Sequence, residues 1–183
     1  MSWAEIAGMT EKERVVVVVP VAGMADHGDG LPLDVEERVL MRVVKEASLR
    51  RGENVRLLVV PPLRFVTGPA EEAAFAVGVP VAHAFIDDVC ASVAAAGFRK
   101  VVLCNASLWN EDLCDAAARD VRIARGLQMF CVNLSALGIG FAAKEDVEFV
   151  EAGGRLAALF AEIAGRAALA NDGKILTKEA PAQ

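Results

Sequence analysis

The sequence predicts an α/β fold: one domain of three layers, with a mostly parallel sheet flanked by helices. Two observations carry this expectation. Continuously apolar runs of strand length alternate with longer stretches whose apolar residues recur every three or four positions. That alternation is what a parallel sheet with crossover helices requires. In addition, 55% of the 183 residues are hydrophobic and 24% are charged. This supplies a core on both sides of a sheet and excludes a disordered chain.

The first strand follows Arg14. VVVVVPVAG is an unbroken β-branched run closed by proline and glycine, as in a strand buried on both faces. In residues 35–51, Val35, Val39, Leu40, Val43, Val44 and Ala47 share one helical face, and Gly52 stands where such a helix ends. VRLLVV at 55–60 is the second strand, closed by Pro61 and Pro62. Residues 84–96 read as a helix ending at Gly97, and KVVLC at 100–104 as the third strand. Asn110 is placed to cap a helix from Glu111 to about Arg125, stopped by Gly126. Residues 127–134 are the fourth strand. Residues 144–170 are mainly helical, with Gly153 and Gly154 as a break point. Residues 171–183 are expected to form a loose or docked tail, and no shift in composition divides residues 1–183 into more than one domain.

Composition excludes several classes of function. The formal charge is -6 and the lysines and arginines are scattered, so no basic stripe for nucleic acid is present. Cys90, Cys104, Cys114 and Cys131 form no CxxC pair, and with two histidines they do not build a zinc finger. They are expected as thiols in a reducing cytoplasm. The opening MSWAEIAGMTEKER carries acidic residues and no long apolar run, unlike a signal peptide. The valine run is far shorter than the roughly 20 residues needed to cross a bilayer. Neither nucleic acid nor a membrane is therefore an expected partner. Gly23, Gly28 and Gly30 lack the spacing of a phosphate loop.

In folds of this class, ligands bind beyond the carboxyl ends of the strands. Those ends are the loops at 21–33, 61–68, 104–110 and 135–141, and any site should draw on them. The first loop, PVAGMADHGDGLPLDVEE from Pro20 to Glu37, resembles the opening loop of the creatininase (creatinine amidohydrolase) family. His27-Gly28 and Leu31-Pro32-Leu33 match that pattern outright. Trp3 and Glu5, Pro61-Pro62-Leu63, and Gly97-Phe98-Arg99-Lys100 leading into VVLCN resemble further family motifs in the same order. The resemblance covers about residues 1–135. Glu151–Gly154 (EAGG) stands in for a later His-Ala-Gly-Glu segment.

The resemblance implies a creatininase-like fold, and the departures bear on function. Family members hold two metal ions with carboxylates and histidines from the first and third loops. At the corresponding positions this chain has Ala25, His27, Gly30, Glu36, Ser107 and Trp109. Only His27 and the carboxylate of Glu36 remain able to ligate. A catalytic divalent ion needs about three protein ligands and an open position for water. No cofactor is therefore expected. The alternative is one divalent ion, zinc or manganese, on His27 and Glu36, with Asp29 as a further oxygen donor.

Other residues carry weaker signals. Ser107 is a candidate nucleophile with His27 as base, but no Gly-x-Ser-x-Gly elbow surrounds it. Cys104 could pair with His27, although it sits in a buried-strand pattern. Asp26, Asp29, Asn105 and Asn110 are expected to line the strand-end cleft. The structural alternative has Asp29 and Gly30 shaping a turn, Asp34 capping the next helix, His27 bonded to backbone, and Trp109 filling the space of metal and substrate. Three functions follow. The first is a catalytically degenerate family member, acting as a structural or regulatory subunit in a homo-oligomer or beside an active paralogue. The second is an amidohydrolase with a rebuilt site, cutting a cyclic amide or other C–N bond. The third is a small-molecule binding module in which Trp109 stacks on a planar ligand.

Overall fold

The computed structural model describes residues 2–28, 30–69, 73–143 and 145–167. In chain order its elements are α1 (Trp3–Ala7), β1 (Val16–Val21), β2 (Met24–Ala25), α2 (Val35–Arg50), β3 (Leu57–Val59), β4 (Ala73–Phe75), α3 (Val79–Ala95), β5 (Lys100–Asn105), α4 (Glu111–Arg125), β6 (Gln128–Asn133) and α5 (Asp146–Gly165). The main sheet is parallel, in the order β3-β1-β5-β6. Val16 of β1 lies opposite Leu57 on one side and Lys100 on the other.

The valine run explains itself here. β1 is central and every one of its residues is buried. Val16 and Val18 join a core with α2 and α5, while Val17, Val19 and Val21 join a second core with α3 and α4. A strand covered on both faces has no polar side to show, so the run is continuous. Pro20 gives up one donor near the strand end, and its carbonyl accepts from the Leu63 N–H at 2.8 Å. The result is three layers with helices on both faces, as the alternation of elements predicts.

Local details differ from expectation. α3 begins at Val79 rather than at residue 84, with Pro80 in its first turn, where the missing N–H costs no helical bond. Gly153 and Gly154 do not break α5, which runs through them. Gly153 is instead where α5 crosses α2: a Cβ there would overlap the Glu46 side chain and stand 3.1 Å from the Ala47 nitrogen. The second strand is shorter than expected. The small antiparallel pair of β2 and β4, with Met24 opposite Phe75, has no counterpart in the sequence reading. The tail at 171–183 lies outside the described residues. Among the described residues, no helix is long and apolar enough to cross a membrane.

Candidate functional site

β1 and β5 are neighbours, yet their crossovers diverge. β1 leads through α2 to β3 on one side, and β5 leads through α4 to β6 on the other. The crevice between their carboxyl ends is the switch point at which such sheets place ligands. The Ala106 N–H binds the Val21 carbonyl at 2.9 Å, so the first and third loops leave the sheet side by side.

Glu36 sits in the first turn of α2 and is fully buried. A helix N-terminus favours a carboxylate, and both oxygens are used. Oε2 accepts from the Gly23 N–H at 2.5 Å, and Oε1 lies 3.0 Å from His27 Nε2. The tautomer of His27 that carries its proton on Nε2 donates it to this carboxylate. The two sequence positions still able to ligate are thus bonded to each other. The imidazole is enclosed by two rings: Trp109 at 5.3 Å between centroids and Phe141 at 4.4 Å. The His27 side chain is 11% exposed. The expectation that His27 bonds to backbone is corrected: a carboxylate is the stronger acceptor within reach.

Ala25 lies in β2 with its methyl buried. Gly30 is exposed, with φ +70 and open space around it. Asp26 is exposed, and its Oδ1 accepts from the Gly28 N–H at 2.8 Å, which shapes the loop. Asp29 lies outside the described residues. Asp34 stands at the N-cap of α2 without capping it. Its carboxylate instead takes Arg38 Nε at 2.8 Å.

The third loop is braced by amides. Asn105 Oδ1 accepts from the Ser107 N–H at 3.1 Å, and Asn105 Nδ2 donates to Ser107 O at 2.8 Å and to Asn133 Oδ1 at 3.0 Å. Asn110 precedes α4 as expected but makes no side-chain cap. Its Oδ1 accepts from Thr67 N and Oγ1, and its Nδ2 donates to Thr67 O, which clamps the loop after β3 to the loop after β5. Ser107 is buried, and among the described residues its Oγ has no hydrogen-bond partner. Among the described residues no serine–histidine pair forms, since the Ser107 Oγ is unpartnered and His27 Nε2 is bonded to Glu36. Burial pushes the Cys104 thiol up to about 12, leaving it a protonated core residue at neutral pH. Among the described residues, no group of three or more His, Cys, Asp or Glu side chains is gathered to hold a metal.

Phe141, Thr67 and Asn133 carry no signal in the sequence, and Gly23 is read there only as a glycine outside any phosphate loop, not as a donor to Glu36. Phe141 and Thr67 fall in strand-end loops, but no residue-type pattern marks an aromatic as the partner of a distant imidazole.

The family model for creatininase (creatinine amidohydrolase) matches residues 1–167. No curated protein matches the chain significantly. Solved structures do. A protein from Bacteroides fragilis NCTC 9343 assigned as a creatinine amidohydrolase is 18% identical, with TM-score 0.55, covering 68% of this chain and 51% of that one. A manganese creatininase is 21% identical, with TM-score 0.60 and coverages of 75% and 57%. A glutamate-to-glutamine creatininase mutant of Zn-Zn type is 20% identical, with TM-score 0.61 and coverages of 80% and 59%. The matched part is therefore between about half and three-fifths of those chains. At such identities the structural likeness speaks for the fold.

Proposed function

Because this chain belongs to the creatininase (creatinine amidohydrolase) family, we propose that it is a member whose hydrolytic metal centre has been replaced by packed side chains, and that it acts as a structural or regulatory subunit. The observation that carries this is the sealed His27–Glu36 pair. Each Glu36 oxygen already has a donor, and the imidazole lies against Trp109 and Phe141. The residues present do not fit two divalent ions. Ala25 and Gly30 have no ligating atom, and Ser107 and Trp109 do not replace an imidazole or a carboxylate. Seating even one ion on His27 and Glu36 would mean breaking their mutual hydrogen bond.

The scaffold argues for retained use. Both cores are filled and the loops around the former centre are braced by Asn105 and Asn110, so the surface that the fold presents is well defined. A protein that keeps its fold without the chemistry of the family acts through what it binds. The partner is a second copy or an active paralogue, and the setting is a reducing cytoplasm in which the cysteines, free among the described residues, remain thiols.

Elemental mass spectrometry of protein purified without chelators tests the reading. Well under one metal ion per chain, unchanged by added zinc or manganese, is the expected result. Near-stoichiometric metal that disappears in His27→Ala would instead restore a metal-dependent hydrolase.

A further inference from the structure

We infer that the chain holds a second binding site, at the amino end of β6, for a small N-acylated amino acid: a carboxylate with an amide N–H on the adjoining carbon. The site lies at the opposite end of the sheet from the His27 crevice and stands whether or not the metal centre is lost. Arg122, Gln128, Met129, Phe130, Arg166 and Ala167 line a cavity of about 230 Å³ where the ends of α4 and α5 meet the start of β6. At roughly 30 Å³ per water, it admits a compact molecule of about eight non-hydrogen atoms.

Gln128 calls for a donor. Its side chain is buried, the residue being 9% exposed, and Nε2 donates to the Ala167 carbonyl at 2.6 Å. Only the nitrogen of an amide can donate, so this bond fixes which way the amide points. Oε1 is left buried, without a hydrogen-bond partner among the described residues. Buried acceptors in folded proteins are normally matched by a donor. The arginines call for an anion. Arg122 forms no ion pair among the described residues. Arg166 Nη2 donates to Glu162 Oε1 at 2.6 Å, and its guanidinium lies 5.3 Å from the Phe130 ring centre. The positive charge of Arg122 is therefore unmatched at the cavity.

The frame around these groups is built in advance. Buried Lys100 donates to the Ala164 and Arg166 carbonyls, each at 2.7 Å, which holds the end of α5 where Arg166 and Ala167 close the cavity. The ligand must then carry an anion and a donor on one small skeleton. A carboxylate matches the planar fork of a guanidinium. An ammonium would supply the donor but set a positive charge beside two guanidiniums, whereas a neutral amide N–H does not. The chain end of a peptide carries the same two groups, and the experiment separates it from a free ligand.

The test is calorimetric titration of the full chain with N-acetylglycine and, beside it, levulinate (the same skeleton with CH2 in place of the N–H). N-acetylglycine is expected to bind in the millimolar range or tighter, and levulinate about tenfold more weakly, because it gives Oε1 no donor. Arg122→Ala changes an exposed residue and should weaken both ligands about tenfold. Gln128→Met keeps the length of the side chain and should erase the preference for N-acetylglycine while levulinate still binds. Arg119→Ala, exposed on α4 and outside the cavity lining, should change neither. A wild type that does not bind N-acetylglycine overturns the inference, as does binding that Arg122→Ala leaves unmoved. Equal affinity for the two ligands overturns the part given to Gln128 and with it the ligand class. Tighter binding of N-acetyltriglycine than of N-acetylglycine overturns the free ligand and gives the cavity to a peptide chain end. Metal content enters none of these results, so failure here and failure of the proposed function are read separately.

Discussion

Glu36 is the most constrained side chain of the site. It is buried, ionisable, and held by one backbone donor and one imidazole. Glu36→Ala strands the Gly23 N–H and the His27 donor, so a loss of about 3 kcal/mol is expected in urea unfolding. Glu36→Gln keeps an acceptor for Gly23 and should cost less. The cysteines give a second expectation. Burial pushes the thiols of Cys90, Cys104 and Cys114 up to about 12. Burial raises Cys131 as well, with the nearby Cys114 and Asp115 adding to it. Native protein near neutral pH should therefore react slowly with a thiol reagent, and unfolding should release all four groups. Fast labelling of one native thiol would identify a reactive site that this packing does not contain. A third expectation concerns Asp87, which accepts from Arg125 Nη2 at 2.7 Å. That hydrogen bond, with the Arg125 and His83 charges adding to it, holds its carboxyl below the ordinary aspartate value of 3.8. A carboxyl whose folded value is depressed stabilises the fold above the ordinary value and loses that contribution as acid protonates it. Asp87→Asn should accordingly be less stable than wild type at neutral pH, and the gap should close as pH falls below the ordinary value.

Helix crossings decide the behaviour of the two adjacent glycines in α5. An alanine at Gly154 meets open space, and the gain in helix propensity should stabilise the protein by about 0.5–1 kcal/mol. An alanine at Gly153 meets the backbone of α2 at Ala47 and the Glu46 side chain, so the same propensity is overridden and a loss of about 1–3 kcal/mol is expected. Melting temperatures of the two single variants should move in opposite directions. If both rise, α2 and α5 are not as close as described. In the sequence the pair reads as one break point, because a glycine carries the same local signal whether it ends a helix or lets another approach.

At the scale of the molecule, β1 serves two cores at once, so loss of either helix layer uncovers the same strand. We propose accordingly that the chain is one cooperative unit. Trp3 lies in the amino-terminal helix and Trp109 beside His27, so fluorescence reports from two separate regions. Its urea transition should coincide with that of far-UV circular dichroism. Separated midpoints would show two independently folding parts. Much of this architecture was legible in advance, since β-branched runs and helical stripes are local patterns. The β2–β4 pair was not, because two- and three-residue strands carry no periodicity to read.

By itself, the sequence determined the order of the four main-sheet strands and the helices that connect them, the parallel sheet with both faces covered, the loops that meet at its carboxyl ends, and the family whose motifs those loops carry. These depend on which residue types follow one another, and burial on two faces writes itself into a run of valines. Only the tertiary structure decided what meets across those loops. It bonds His27 to Glu36 rather than to backbone, sets Phe141 against the imidazole, and turns Asn110 from a helix cap into a clamp on Thr67. The reason is physical. Periodicity fixes the face on which a side chain lies, whereas its partner depends on how the crossover helices bring distant strand ends together.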